Sequence, residues 1–266
     1  MPPGEDFLAL GHECLARVEA VGESVVDLSP GQLVVPTVRR PIGKSRHRVD
    51  MLSFGQYTER GIVQQHGFSQ PNWVEPREFL HVVVDEISDV AVFAEPLAVA
   101  EKEANEALCV QQARLGEDCW NDEPPRTLIT GLGPIAFAAT MAAVARGWPA
   151  TMLGRDQDDS YRAQLAKRWG AKYLPTKRAN LSPEDFDRHG YDLILECTGS
   201  DEVLLAVCDA LAPRGVAVWL GASRRPEPVP HNVAGLMRNG LMRNHIHIGS
   251  VNAAPRDFVH ALTHLQ

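Results

Sequence analysis

From residue 126 onward the chain alternates short apolar runs with stretches whose small or apolar residues recur every three or four positions. The apolar runs at 127–130, 150–153, 173–175, 191–197, 215–220 and 245–249 read as strands. Helices fit between them. One covers 134–146, with Pro134 in its first turn, where a missing N–H costs little. A second follows the Asp158-Asp-Ser160 cap and runs to about Trp169, with Gly170 as its stop. A third opens at Asp201 and runs to about Leu211. Strands that alternate with helices predict a doubly wound parallel sheet, an α/β fold with both sheet faces covered.

The first 95 residues carry a different pattern. Ala16-Arg-Val-Glu-Ala-Val alternates in the manner of a half-buried strand, and Leu33-Val-Val35 and His81-Val-Val-Val84 read as further strands. Gly22 and Ser29-Pro-Gly31 punctuate them as turns, and no long helix is evident. Over 94–115 the apolar positions Ala94, Leu97, Ala98, Ala104, Ala107, Leu108 and Val110 recur at helical spacing. A polar linker, Asp118-Cys-Trp-Asn-Asp-Glu-Pro-Pro125, then marks a boundary. The pattern therefore predicts a β-rich domain with a linking helix over 1–125, a sheet domain over 126–250, and a return segment over 251–266.

Composition narrows the possibilities. Hydrophobic residues make up 44% of the 266 and charged residues 23%, as in an ordinary globular protein. No apolar run approaches the ~18 residues of a membrane span, and the N-terminus lacks a signal core. The formal net charge of −8 argues against a nucleic-acid surface. The local basic cluster Arg39-Arg40…Lys44-Ser-Arg46-His-Arg48 reads as a solvated loop. Five cysteines without C-x-x-C spacing form neither a disulfide framework nor a zinc ribbon. They fit reduced thiols in a cytoplasm, with Cys197 and Cys208 as small buried residues.

The candidate chemistry begins at Gly131-x-Gly133-x-x-Ala136, between an apolar strand and an alanine-rich helix. A dinucleotide needs this order: a glycine for the tight turn, a second for close approach of the pyrophosphate, and a small residue for helix packing. The helix N-terminus supplies N–H groups and a positive dipole end. Gly131, Gly133, Pro134 and Ile135 are thus candidate cofactor contacts, with Thr198 and Gly199 beyond a later strand. Strand two ends Met152-Leu153-Gly154-Arg155-Asp156. A glycine occupies the place of the carboxylate that would bind an NAD ribose. Arg155 is suited to a 2′-phosphate, which favours NADP over NAD. A one-residue shift would instead bring Asp156 to the ribose.

A second constellation joins Gly11-His12-Glu13 to Glu95-Pro-Leu97. Histidine and carboxylate form a partial catalytic zinc set. Spacing alone leaves two other accounts open: a packed or surface histidine, and a Glu95 placed for its helix dipole. Taken together, Gly-His-Glu, Glu-Pro-Leu, the Gly131 loop, Glu196-Cys-Thr-Gly199 and Gly249-Ser-Val-Asn252 resemble the zinc-dependent medium-chain alcohol dehydrogenase superfamily. Within it, Phe7-Leu-Ala-Leu-Gly-His-Glu, Thr37-Val-Arg-Arg40, Tyr57-Thr-Glu-Arg-Gly-Ile62 and Ser250-Val-Asn-Ala-Ala-Pro-Arg256 resemble the glucose dehydrogenase branch.

The resemblance implies a Rossmann domain and a β-rich GroES-like catalytic domain. It implies catalytic zinc held by His12, Glu13 and Glu95, with Glu13 and Glu95 as the catalytic carboxylates. Glu59, Glu95 and Asn252 would contact sugar hydroxyls, and an aldose would be oxidised at its anomeric carbon to a lactone. Homo-oligomers are common among such relatives.

The chain also departs from the family pattern. The family's zinc-binding cysteine lies upstream of Gly-His-Glu in a stretch absent here, and Cys14 does not take its role. Residues 40–49 contain no cysteine, so no structural zinc is expected, and Val99 replaces a sugar-contacting aspartate. Both ends read as cut. Two other functions stay open: a nucleotide-binding remnant without catalysis, and a zinc-free quinone or enone reductase.

Overall fold

Buried polar and charged side chains, not apolar ones alone, shape the N-terminal half of the protein. The computed structural model describes residues 1–176, 181, 186–223, 225–227 and 230–266. Two compact units form: Met1–Lys102 with Val251–Gln266, and Glu103–Ser250.

The first unit holds two three-stranded sheets. In one, β1 (Ala16–Arg17), β2 (Leu33–Pro36) and β6 (Leu80–Val83) pair antiparallel in the order β1-β2-β6. In the other, β3 (Arg39–Pro41) pairs antiparallel with β4 (Tyr57–Arg60), which pairs parallel with β5 (Gln64–Gln65). Arg39 and Arg40 lie on β3 at 3% and 6% exposure, which corrects the expectation of a solvated basic loop. The reason is pairing. Arg39 bonds Glu59 at 2.9 Å and stacks on Tyr57, while Arg40 and Arg60 both hold the buried carboxylate of Glu75. Burial lowers the pKa of the Arg40 guanidinium, and Glu75 opposes that shift. The rest of the cluster, Lys44 to Arg48, is exposed.

Helix α1 (Ala94–Leu115) has the bounds its periodicity predicts. Ala94, Leu97, Ala98, Ala104 and Ala107 are at most 1% exposed, yet Glu101, Lys102 and Glu103 are buried as well. Lys102 Nζ reaches Asp50 at 3.2 Å and the carbonyl of Val251 at 2.7 Å. Burial alone would raise the Asp50 carboxyl, but Arg48 and Lys102 outweigh it and hold it low. Helix α6 (Pro255–His264) begins where the Asp257 carboxylate accepts from Ala254 N at 2.8 Å. Its Phe258 stacks on His81 with ring centroids 5.3 Å apart.

In the second unit six parallel strands run in the order β12-β11-β10-β7-β8-β9: Ile246–Gly249, Leu211–Trp219, Tyr191–Glu196, Thr127–Thr130, Ala150–Gly154 and Lys172–Pro175. The first strand in sequence is central and the order reverses beside it, the doubly wound topology that leaves a crevice at the strand C-termini. Leu128, Leu153, Tyr191, Ile194, Val207, Leu211 and Ala217 form its core. Helices α2 (Pro134–Ala145), α3 (Tyr161–Arg168) and α4 (Asp201–Cys208) follow the pattern, and the Ser160 hydroxyl caps α3 by accepting from Ala163 N at 3.2 Å.

Three boundaries differ from the sequence reading. Helix α4 stops at Cys208, and β11 begins at Leu211 instead of 215. A register shift against Tyr191 and Leu193 lets Pro213 and Arg214 ride on the strand, with Arg214 at φ 67°. Helix α5 (Val233–Arg243), which the sequence reading left unassigned, carries no buried residue. The division between units falls inside α1, not in the 118–125 linker. The second half of the helix is held by its own unit: Gln111 and Arg114 donate to the carbonyl of Arg214, and Arg114 also to that of Asn244. No helix of the described residues is long and apolar enough to cross a membrane. Cys208 is buried, as expected, and burial pushes its thiol up to about 12. Cys197 is part-buried, and its thiol is raised in the same way.

Glu75→Ala leaves two buried guanidinium groups without their partner. It should cost about 3–5 kcal/mol in urea unfolding, and a loss under about 1 kcal/mol would mean the arginines reach water instead. Burial pushes His81 down to about 4 from 6.5, with Arg77 adding to the shift. The unfolded chain therefore binds the proton more readily, so this contribution to stability is complete above pH 6.5 and is lost as pH falls toward 4. Thermal scans of His81→Phe should show a shallower decline across that window, and an unchanged decline would assign it to other groups.

Candidate metal and dinucleotide sites

In the first unit, one ligand atom each of His12, Glu13 and Glu95 falls within 4.8 Å of the others. The segment carrying His12 and Glu13 has almost no regular structure of its own. Its backbone is pinned by three hydrogen bonds, Gly67 N to Ala9 O at 2.7 Å, Phe68 N to Gly11 O at 2.8 Å and Ser69 N to Leu10 O at 3.1 Å. The contact is close enough that a Cβ on Gly67 would meet the Gly11 and Leu10 carbonyl oxygens at 2.3 Å. Glu95 comes from the first turn of α1. Its carboxyl is pushed up to about 8, first by burial and then by the charges of Glu13 and Glu59. Such a carboxyl is one that a divalent cation would stabilise as its anion. One imidazole and two carboxylates suit zinc and match a catalytic site of three protein ligands with an open position. It is the one group of three or more such donors among the described residues.

Beside this cluster stand Glu59 and Asn252, far apart in sequence. Asn252 donates from Nδ2 to Glu59 Oε1 at 3.0 Å, and its Oδ1 accepts from Ala253 N at 2.8 Å. It sits at φ 64°, a conformation that asparagine tolerates better than most residues. Arg39 Nε donates to the same Glu59 oxygen at 2.9 Å. The sequence reading gave Arg39 no role at the site, although it lies in the Thr37-Val-Arg-Arg40 motif as well as in the basic cluster.

In the second unit, Gly131 turns at φ 96° and packs against Thr198, whose Cγ2 lies 3.3 Å from where a Cβ would stand. Gly133 caps α2 in an extended conformation, with Pro134 at the first position of the helix. A Cβ on Gly133 would meet nothing within 4 Å, so the backbone there is open to a ligand. Ile135 follows on the first turn, and Ala136 is buried at 1% exposure. Thr198 and Gly199 are brought to the same place by Glu196, a fully buried carboxylate at the end of β10. It accepts from Thr130 Oγ1 at 3.1 Å, Thr198 N at 2.8 Å, the Thr198 hydroxyl and Gly199 N at 3.2 Å. The free N–H groups at the start of α2, the turn glycine and this fixed loop suit a pyrophosphate.

The end of β8 bears on the ribose. A Cβ on Gly154 would meet Leu132 Cδ1 at 2.6 Å and the Tyr173 hydroxyl at 2.9 Å, so a side chain there would require both neighbours to shift. Arg155 is exposed. Asp156 is held by Arg162 at 2.9 Å.

Residues 88–266 match the family described as "Glucose dehydrogenase C-terminus". Over 266 residues the chain is 36% identical to glucose 1-dehydrogenase of Thermoproteus tenax, covering 100% of this chain and 73% of that protein. It is also 36% identical to glucose 1-dehydrogenase 2 of Vulcanisaeta moutnovskia, covering 100% and 72%. The crystal structure of Haloferax mediterranei glucose dehydrogenase in complex with NADP, Zn and gluconolactone superposes with a TM-score of 0.86 at 26% identity. That match covers 99% of this chain and 74% of the other. Galactitol-1-phosphate dehydrogenase of Escherichia coli shares the fold, with a TM-score of 0.79 at 20% identity.

Expressed as the whole chain and dialysed, the protein should retain about one zinc per chain by atomic absorption, and His12→Ala and Glu95→Ala should each retain little. Equal zinc in all three proteins would place the metal elsewhere.

Proposed function

The chain belongs to the glucose dehydrogenase family of the zinc-dependent medium-chain dehydrogenases, and from that premise we propose that it oxidises an aldose of the glucose type with NADP and zinc. The observation that carries this reading is the convergence of His12, Glu13 and Glu95 on one point in a chain that also holds a complete dinucleotide loop. When bound, zinc supplies Lewis acidity at the sugar hydroxyl and the nicotinamide accepts hydride. Overall, the anomeric hydrogen leaves with the C–H electron pair to NADP⁺ and the hydroxyl loses its proton, giving lactone, NADPH and H⁺.

The residues divide this work. His12, Glu13 and Glu95 hold the metal. Glu13 is exposed, whereas Glu95 is the sheltered carboxylate that faces Glu59. Glu59 and Asn252 hydrogen-bond sugar hydroxyls. Their mutual bond and the Arg39 contact set both side chains in one geometry before substrate arrives. Such preorganisation lowers the cost of orienting the sugar. Gly131, Gly133, Pro134 and Ile135 take the pyrophosphate, with Thr198 and Gly199 held at the same loop by Glu196. Arg155 takes the 2′-phosphate, and the glycine at position 154, where an NAD-type carboxylate would stand, supports that choice. The substrate is met without the usual aspartate, because Val99 occupies that position. The reduced cysteines agree with a cytoplasmic enzyme, and a homo-oligomer is in keeping with the family.

The test is the rate of NADP reduction by the whole chain with D-glucose and with other aldoses. Removing zinc with a chelator should lower that rate on the order of a hundredfold or more, and added zinc should restore it. Nucleotide binding without sugar-dependent turnover at full zinc content would instead make the chain a nucleotide-binding protein. Asn252→Ala should raise KM for the sugar about tenfold with a smaller change in kcat, since it removes a hydrogen bond made in ground and transition states alike.

A further inference from the structure

The turn after β8 carries an arrangement that the cofactor loop alone does not explain. Strands β7 and β8 pair in parallel, with Thr130 opposite Leu153, so the turns that follow them leave the sheet side by side. Leu132 from the first turn packs where a Cβ of Gly154 would stand. The next residues are Arg155, exposed, and Asp156, whose main-chain carbonyl accepts from the Tyr173 hydroxyl at 2.8 Å. That bond fixes the backbone of Asp156. Its side chain is fixed separately by a two-pronged contact, with Arg162 Nε to Oδ2 at 2.9 Å and Nη2 to Oδ1 at 3.1 Å.

Arg162 is the second residue of α3. A cation there opposes the helix dipole, so intrinsic helix preference does not account for it. Its geometry toward Asp156 does, as planar forks match carboxylates. Lys167 similarly occupies Asp158, at 2.6 Å. Asp159 is the remaining acidic residue of the turn and is exposed.

We propose that the Arg162–Asp156 pair determines the choice of NADP over NAD. It turns the carboxylate next to Arg155 away from the adenosine ribose and leaves the charge of Arg155 uncompensated for the 2′-phosphate. The inference rests on the NADP reading of Arg155 and deepens it. Arg162 acts through Asp156 and is a positioning residue. A ribose 2′-hydroxyl is a ligand for a free carboxylate, and a 2′-phosphate is repelled by one. Occupying Asp156 therefore works on both cofactors in opposite senses.

Direct titration of NADPH and NADH by fluorescence reads this without zinc, sugar or turnover. Arg162→Leu frees the Asp156 carboxylate. Its Kd for NADPH should rise about tenfold, as expected of one added negative charge near the phosphate, while NADH binding stays level or tightens. Adding Asp156→Asn to Arg162→Leu should return NADPH binding to within about threefold of the wild type, which a loss of fold could not do. Equal weakening of both nucleotides by Arg162→Leu would overturn the proposal. So would a double variant still weak for NADPH, which would make Arg162 a direct phosphate contact. Wild-type protein that binds NADH at least as tightly as NADPH would instead overturn the NADP reading itself.

Discussion

A closed ring of polar contacts, centred on the buried carboxylate of Asp50, organises the unit that holds the metal donors. Asp50 receives Lys102 from α1, and its main-chain carbonyl accepts from Arg39 at 3.1 Å. Arg39 holds Glu59, Glu59 receives Asn252, and the chain beside Asn252 returns to Lys102 through the Val251 carbonyl. Helix α1, strands β3 and β4 and the return segment are thus tied by one set of bonds. Breaking any member leaves a charge or donor stranded in low dielectric, which costs far more than the intact bond contributes. The contacts therefore specify arrangement more than they add stability. The arrangement in question puts Glu59 and Asn252 beside Glu95.

The same logic explains why the metal donors stay in place without regular secondary structure around His12. Three main-chain hydrogen bonds to 67–69 replace a strand, and they form only because two glycines let the backbones meet. Glu95 is brought up from the opposite side by the first turn of a 22-residue helix. A long helix rooted in buried alanines is a stiff support, so the third donor is set by packing rather than by a loop. The raised pKa of Glu95 follows from this crowding.

In the nucleotide unit the comparable fixture is Glu196. One carboxylate accepts from the end of β7 and from three donors in the turn after β10, so the strand ends on either side of the topological reversal are set together. Thr130 completes the knot by accepting from Cys197 N at 3.1 Å. The pyrophosphate loop thereby gains a fixed neighbour in Thr198. A fully satisfied buried acceptor of this kind rigidifies its surroundings, whereas a partly satisfied one would destabilise them.

Local chemistry was readable in the chain itself. The order of strands and helices, the Gly131 loop, the Ser160 cap and the bounds of α1 follow from periodicity, capping and turn propensity, which act over a few residues. The family resemblance added the pairing of His12 with Glu95. Features set by distant partners were not readable. Arg39 and Arg40 look like solvated charges until Glu59 and Glu75 are known to face them, because burial of a charge depends on its partner and not on its neighbours in sequence. Helix α5 buries no residue and went unassigned, and the start of β11 depended on a bulge against β10. Asp156 looked like a rival ribose ligand, since only folding brings Arg162 round to occupy it. Propensity and pattern are short-range and so are written in the sequence. Pairing of buried charges is long-range, and only the tertiary structure decided it.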